Sequence, residues 1–145
     1  MNQNLVAKAV VTINGKIADV WGALIDPAAL KQYMFGSDIH SDWKPGSPIT
    51  FKGEWQGRRY EDKGEVLEVK PREKLKYTHF SPLAGLPDKP ENYHTITVEL
   101  AGAGEQTRVT LSQDNNTTEE AREHSQKNWE MVLNGLKKYV ENRSK

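Results

Sequence analysis

The chain has 145 residues, no cysteine, and twenty basic residues balanced by twenty acidic ones. The lack of cysteine excludes disulfides, thiolate metal sites and a cysteine nucleophile, and it fits a reducing cytoplasm. A formal net charge of zero gives no overall field for nucleic acid or an anionic membrane.

This length suits one domain, 1–145, with a core that needs no staples. The mean hydropathy of -0.77 is low for a folded domain, yet the aromatic residues and strand patterns below argue against disorder. Met1 to Lys8 shows no basic head followed by a long apolar stretch, so no signal peptide is expected. No apolar run approaches the roughly 20 residues that cross a bilayer.

Leu5, Ala7, Ala9, Val11 and Ile13 alternate with Val6, Lys8, Val10 and Thr12, which predicts a strand with its odd positions inward. Asn14-Gly15 ends it. Ile17, Val20, Trp21 and Leu24 then recur at helical spacing. Asp26 suits the cap of a second short helix that has Pro27 at its first position. Residues 36–48 read as irregular or as a weak strand. Ile49, Phe51, Gly53 and Trp55 share one face of a strand, and Gln56-Gly57 makes a turn. Tyr60, Asp62, Gly64 and Val66 share the inner face of the next strand, whose alternation slips at Leu67 to Val69 as at a bulge. After Pro71, Leu75, Tyr77 and His79 face one way. Residues 81–91 hold three prolines and a glycine and read as a long loop. His94, Ile96, Val98 and Leu100 follow. A Gly102 to Gly104 turn then leads to Thr107, Val109, Leu111 and Gln113. A long last helix starts near Thr117, with Ala121, Trp129, Val132, Leu133, Leu136 and Val140 along one face.

A curved sheet that meets one long helix wraps around it and leaves a cavity between the two. This order of elements resembles the helix-grip fold of the START-like, pollen-allergen-like superfamily. More narrowly, the chain resembles proteins related to the activator of the heat-shock protein 90 ATPase. The residues that carry the likeness are Val20-Trp21, Leu24 and Asp26-Pro27; Gly64, Val66, Pro71 and Leu75 to Thr78; Thr107 to Leu111; and Trp129, Leu133 and Leu136. The resemblance implies an α+β helix-grip fold. Six or seven antiparallel strands would curve around the C-terminal helix, with two short helices after the first strand. It also implies a bound hydrophobic molecule or, as an alternative, a chaperone partner and a stress-related role.

Turn positions suggest registers. With Val69 opposite Lys74, Gly64 faces His79 and Val66 faces Tyr77. With Leu100 opposite Thr107, His94 faces Gln113, Ile96 faces Leu111 and Val98 faces Val109. The long loop places His79 opposite His94. The inner face is then layered. Leu75, Val98, Val109, Tyr77, Ile96 and Leu111 form an apolar floor, while Asp62, His79, His94 and Gln113 form a polar end. Ser125 and Asn128 face inward from the helix above. Such a container suits a small hydrophobic or amphipathic molecule with one polar head.

Phe51, Trp55, Tyr77, Ile96, Leu111 and Val132 are the expected apolar contacts, and Asp62, His79, His94, Gln113 and Asn128 the polar ones. Aromatic residues serve a pocket wall and a plain core equally well, so that choice stays open; Trp21 and Trp129 read as core. The Asp62, His79 and His94 cluster suits proton transfer near neutral pH, as in a cyclase or hydrolase acting on a hydrophobic substrate. It equally suits a polar row at a solvated mouth. Its spacing matches no compact metal motif, no metal or other cofactor is implied, and no catalytic residue is assigned. Arg58-Arg59 and the basic C-terminal residues have acidic neighbours and read as solvated surface, with no nucleic-acid partner. A monomer or weak dimer in the cytoplasm is expected.

Overall fold

The computed structural model describes residues 5–82 and 85–143; of Trp55 it describes the backbone alone. The elements run β1 (Leu5–Ile13), α1 (Ile17–Ile25), α2 (Pro27–Tyr33), β2 (Asp38–Ser41), β3 (Pro48–Trp55), β4 (Arg58–Lys70), β5 (Lys74–His79), β6 (His94–Ala103), β7 (Gln106–Asn116) and α3 (Glu119–Arg143). The seven strands form one antiparallel sheet in the order β1-β7-β6-β5-β4-β3-β2. This is the helix-grip α+β architecture that the order of elements implies. Residues 38–41, within the stretch read as irregular or weakly extended, pair with β3 as its edge neighbour.

Local chemistry sets most boundaries. Asp26 ends α1 and caps α2: its carboxylate accepts the Ala28 N–H at 3.2 Å, and Pro27 occupies the first turn, where no N–H is needed. Gln56 and Gly57 both have positive φ, 51° and 79°, the geometry that joins two twisted strands through a two-residue hairpin turn. Thr118 accepts the Ala121 N–H at 3.0 Å, which caps α3 one residue beyond its predicted start.

Two predicted registers need correction. Between β4 and β5, Lys74 faces Lys70, and Val69 faces Leu75. The bulge between Val66 and Glu68 absorbs the one-residue difference, so Val66 still faces Tyr77. Between β6 and β7 the strand runs through Gly102 to Ala103, which faces Gln106, so the turn is Gly104-Glu105. Leu100 therefore faces Val109, Val98 faces Leu111, and Ile96 faces Gln113. A slip of two residues keeps every side chain on its predicted face but moves it one layer along the strand. His79 faces His94, as the long loop suggested.

The core lies between the concave face of the sheet and α1, α2 and α3. Ile13, Val20, Val66, Leu75, Ile96, Val109, Leu133 and Leu136 are each at most 2% exposed there. Helix α3 is anchored unevenly. Val132, Leu133, Leu136 and Val140 are buried along its second half, each contributing roughly 1.5–3 kcal/mol. Its first half turns the small or polar Ala121, Ser125 and Asn128 inward, all only partly buried. Gly135 lets α2 come close, since a Cβ there would stand 2.9 Å from that of Tyr33. The helix thus grips the sheet at its C-terminal end and leaves room beneath its N-terminal end.

Candidate functional site

That room is a cavity of about 430 Å³ between α3, the concave sheet and the α2–β2 connection. It brings together Phe51, Asp62, Tyr77, His79, His94, Ile96, Gln113, Asn128 and Val132 of the expected set. Leu111 lines a separate, smaller apolar void of about 30 Å³ deeper in the core, with Leu75, Val98 and Leu133. The side chain of Trp55 lies outside the described residues. Met34, Phe35, Ser37, Tyr60, Ser81, Ser125 and Trp129 complete the wall.

Met34, Phe35 and Ser37 were missed because they sit in a connection that has no period. The available signal was an adjacent apolar pair, Met34-Phe35, outside any amphipathic element. Phe35 and Gly36 have φ of 57° and 77°, a reversal that sets Phe35 at the mouth, 52% exposed. Ser37 is buried and shares a short hydrogen bond with the Tyr60 hydroxyl, which ties this connection to β4. Trp129 keeps its place against the core and also faces the cavity.

Aromatic residues form one wall. The Phe51 ring lies 5.9 Å from Tyr77 and edge-on to His79 at 5.0 Å. Burial pushes the Tyr77 hydroxyl pKa well up, so this group stays neutral, and it has no hydrogen-bond partner among the described residues.

The polar end is built by β4, β5 and β6. The Asp62 Oδ2 and His79 Nε2 atoms are 2.9 Å apart, with the side chains 14% and 29% exposed. Asp62 Oδ1 is buried and has no hydrogen-bond partner among the described residues. The His94 Nδ1–H donates to the Asp114 carbonyl at 2.9 Å. A carbonyl can only accept, so in the neutral ring Nε2 carries the lone pair.

Gln113 lies one layer deeper than predicted, beside Ile96, and its role follows from that position. Its Oε1 accepts the Trp129 Nε1–H at 2.6 Å, and its Nε2 donates to Ser125 Oγ at 3.4 Å. Asn116, 3% exposed, accepts from Ser125 at 3.1 Å and donates to the Leu5 and Gln113 carbonyls at 2.9 and 3.0 Å. This network locks the start of α3 to β7 and β1. Gln113 is therefore largely committed to the fold.

The 81–91 connection, expected as a long loop, is strapped down where it is described. Lys63 pairs with Asp88, which also accepts the Tyr93 hydroxyl at 2.6 Å, and Tyr93 stacks on Phe80 at 5.0 Å. Among the described residues no group of three or more His, Asp or Glu side chains is arranged to hold a metal ion. No helix among them is long and apolar enough to cross a membrane.

Comparison with known proteins agrees with this fold. Protein ChR145 from Cytophaga hutchinsonii, known from a solution structure, is 49% identical over 99% of both chains, with a TM-score of 0.86. Protein NE0264 from Nitrosomonas europaea is 20% identical over 97% of this chain and 96% of its own, with a TM-score of 0.77. The crystal structure of Ara h 8.0201 shares the fold at 11% identity, covering 97% and 99% of the two chains with a TM-score of 0.76. Curated proteins yielded no match. Residues 14–141 match the family described as Activator of Hsp90 ATPase homolog 1-like protein, and the chain belongs to that family.

Proposed function

We propose that this protein binds a small hydrophobic or amphipathic molecule, non-covalently, in the cavity beneath the first half of α3. The observation that carries this reading is the 430 Å³ space with aromatic and aliphatic walls and a polar end. Its size falls within the roughly 300–1,000 Å³ of small-molecule pockets. Phe51, Tyr77, Ile96 and Val132 supply apolar contact, while Asp62, His79, His94 and Asn128 orient a polar group. The absence of cysteine supports a cytoplasmic setting.

Native mass spectrometry of the purified protein, with solvent extraction of what is released, tests this directly. A discrete hydrophobic species at near-stoichiometric amount is expected. Asn128→Trp, which fills the cavity from α3, should remain folded and lose that species. A wild-type protein that carries nothing, and takes up no apolar probe, would sink the reading.

The family description favours a second reading, an interaction with heat-shock protein 90 that changes its ATPase rate. Titrating the chaperone with this protein decides it, and an unchanged rate at micromolar excess removes it. The 2.9 Å Asp62–His79 contact also supports a catalytic reading, a cyclase or hydrolase with His79 or His94 as base. Unimpaired turnover in variants at both histidines would remove that one.

A further inference from the structure

The chemistry of the cavity wall narrows the class of ligand, an inference that rests on the binding reading above. The wall contains Asp62 but neither lysine nor arginine. Protonating His79 would leave the Asp62–His79 pair neutral in sum, with no cation in excess. On the Asp62 and His94 side the unused hydrogen-bonding capacity is that of acceptors, while Ser81, Asn128 and Tyr77 of the same wall can also donate. Asp62 Oδ1 is buried without a donor among the described residues, and His94 has committed Nδ1–H to the Asp114 carbonyl, leaving Nε2 as an acceptor. Tyr77, 7% exposed, adds a hydroxyl with no hydrogen-bond partner among the described residues. A buried acceptor without a donor costs its full desolvation penalty, so a ligand that brings a donor gains most. A carboxylate ligand would bring a second anion beside Asp62 and supply no proton to either acceptor.

We propose that the cavity selects an uncharged molecule whose apolar body carries a hydroxyl donor, and discriminates against carboxylates such as fatty acids. The hydroxyl donates to the Asp62 and His94 side, while the body stacks among Phe51, Tyr77 and Trp129.

Three probes of one shape test this by amide chemical-shift titration at neutral pH: 2-naphthol, naphthalene and 2-naphthoate. One hydrogen bond to a charged acceptor corresponds to about a tenfold change in affinity. 2-Naphthol should therefore bind at least about tenfold more tightly than 2-naphthoate, and more tightly than naphthalene. Asp62→Asn, which keeps the shape and removes the charge, should weaken 2-naphthol and strengthen 2-naphthoate, narrowing the gap several-fold. Equal or tighter binding of 2-naphthoate, or equal binding of naphthalene and 2-naphthol, overturns the donor inference and leaves the binding reading standing. Absence of binding by all three overturns both. The wild-type comparison decides the matter even where the variant does not fold.

Discussion

Single residues decide how closely the elements approach. A Cβ at Gly64 would stand 1.7 Å from the Thr78 carbonyl oxygen, a backbone atom that cannot step aside. Gly64→Ala should destabilise by about 1–3 kcal/mol or more, read as a fall in the urea midpoint. Gly22 in α1 has nothing within 4 Å of its added Cβ, so Gly22→Ala should stabilise by roughly 0.5–1 kcal/mol through helix propensity. The opposite signs separate a clash from a backbone-entropy effect. Asn116 is a different case, buried with a partner for each side-chain polar atom. Asn116→Ala would leave Ser125 and the Leu5 carbonyl short of partners, at a cost of about 1–3 kcal/mol.

At the scale of elements, the division within α3 creates the site. Its second half is held by large apolar side chains, and its first half by the hydrogen bonds of Ser125 and Trp129 to β7. The described 85–93 connection is held in part by charge. The Lys63 and Tyr93 hydrogen bonds hold the Asp88 carboxyl below its usual range, and Asp88 raises Lys63. The Asp88 contribution is present above the unfolded carboxyl pKa and is lost as pH falls through the lowered folded value. The Lys63 contribution is present below the unfolded amine pKa and is lost as pH rises through the raised folded value. Both groups are largely exposed, so salt weakens the pair. Hydrogen-exchange protection factors at Phe80 and Tyr93, taken against the intrinsic rate at each pH, should fall as the medium is acidified through the lowered Asp88 value. Asp88→Asn should show the lower protection already at neutral pH; identical exchange in the two proteins would show that the strap is not electrostatic.

For the whole molecule, the chain closes on itself. β1 pairs with β7, and Asn116 donates to the Leu5 carbonyl although the two residues lie 111 apart in sequence. Most stabilising contacts are therefore distant in sequence, which slows folding. Protection is also uneven. β6 and β7 are interior strands, paired on both sides, whose inward residues Ile96, Val98, Leu100, Val109 and Leu111 are buried. The end of the β3–β4 hairpin exposes Glu54, Gln56, Gly57, Arg58 and Arg59. Native-state hydrogen exchange should find the slowest amides in β6, β7 and 132–140, and much faster ones around 54–59. Uniform protection would argue against this division.

The order and inward faces of the elements were legible in the sequence, because strand alternation, Asp26-Pro27, Gln56-Gly57 and the α3 stripe act locally. The bulge near Leu67 was legible for the same reason, as a break in period. Layer positions were not. Whether Gln113 sits beside His94 or beside Ile96 depends on which two residues form the β6–β7 turn, and a shift of two leaves the hydrophobic pattern unchanged. Only the assembled sheet moved Gln113 under Trp129 and left Asp62, His79 and His94 as the polar end. The cavity itself also required the tertiary structure. Its volume arises because Ser125 and Asn128 are too small to fill the space held open by Trp129 and Val132, and because Met34 and Phe35 reach it from a connection without periodicity.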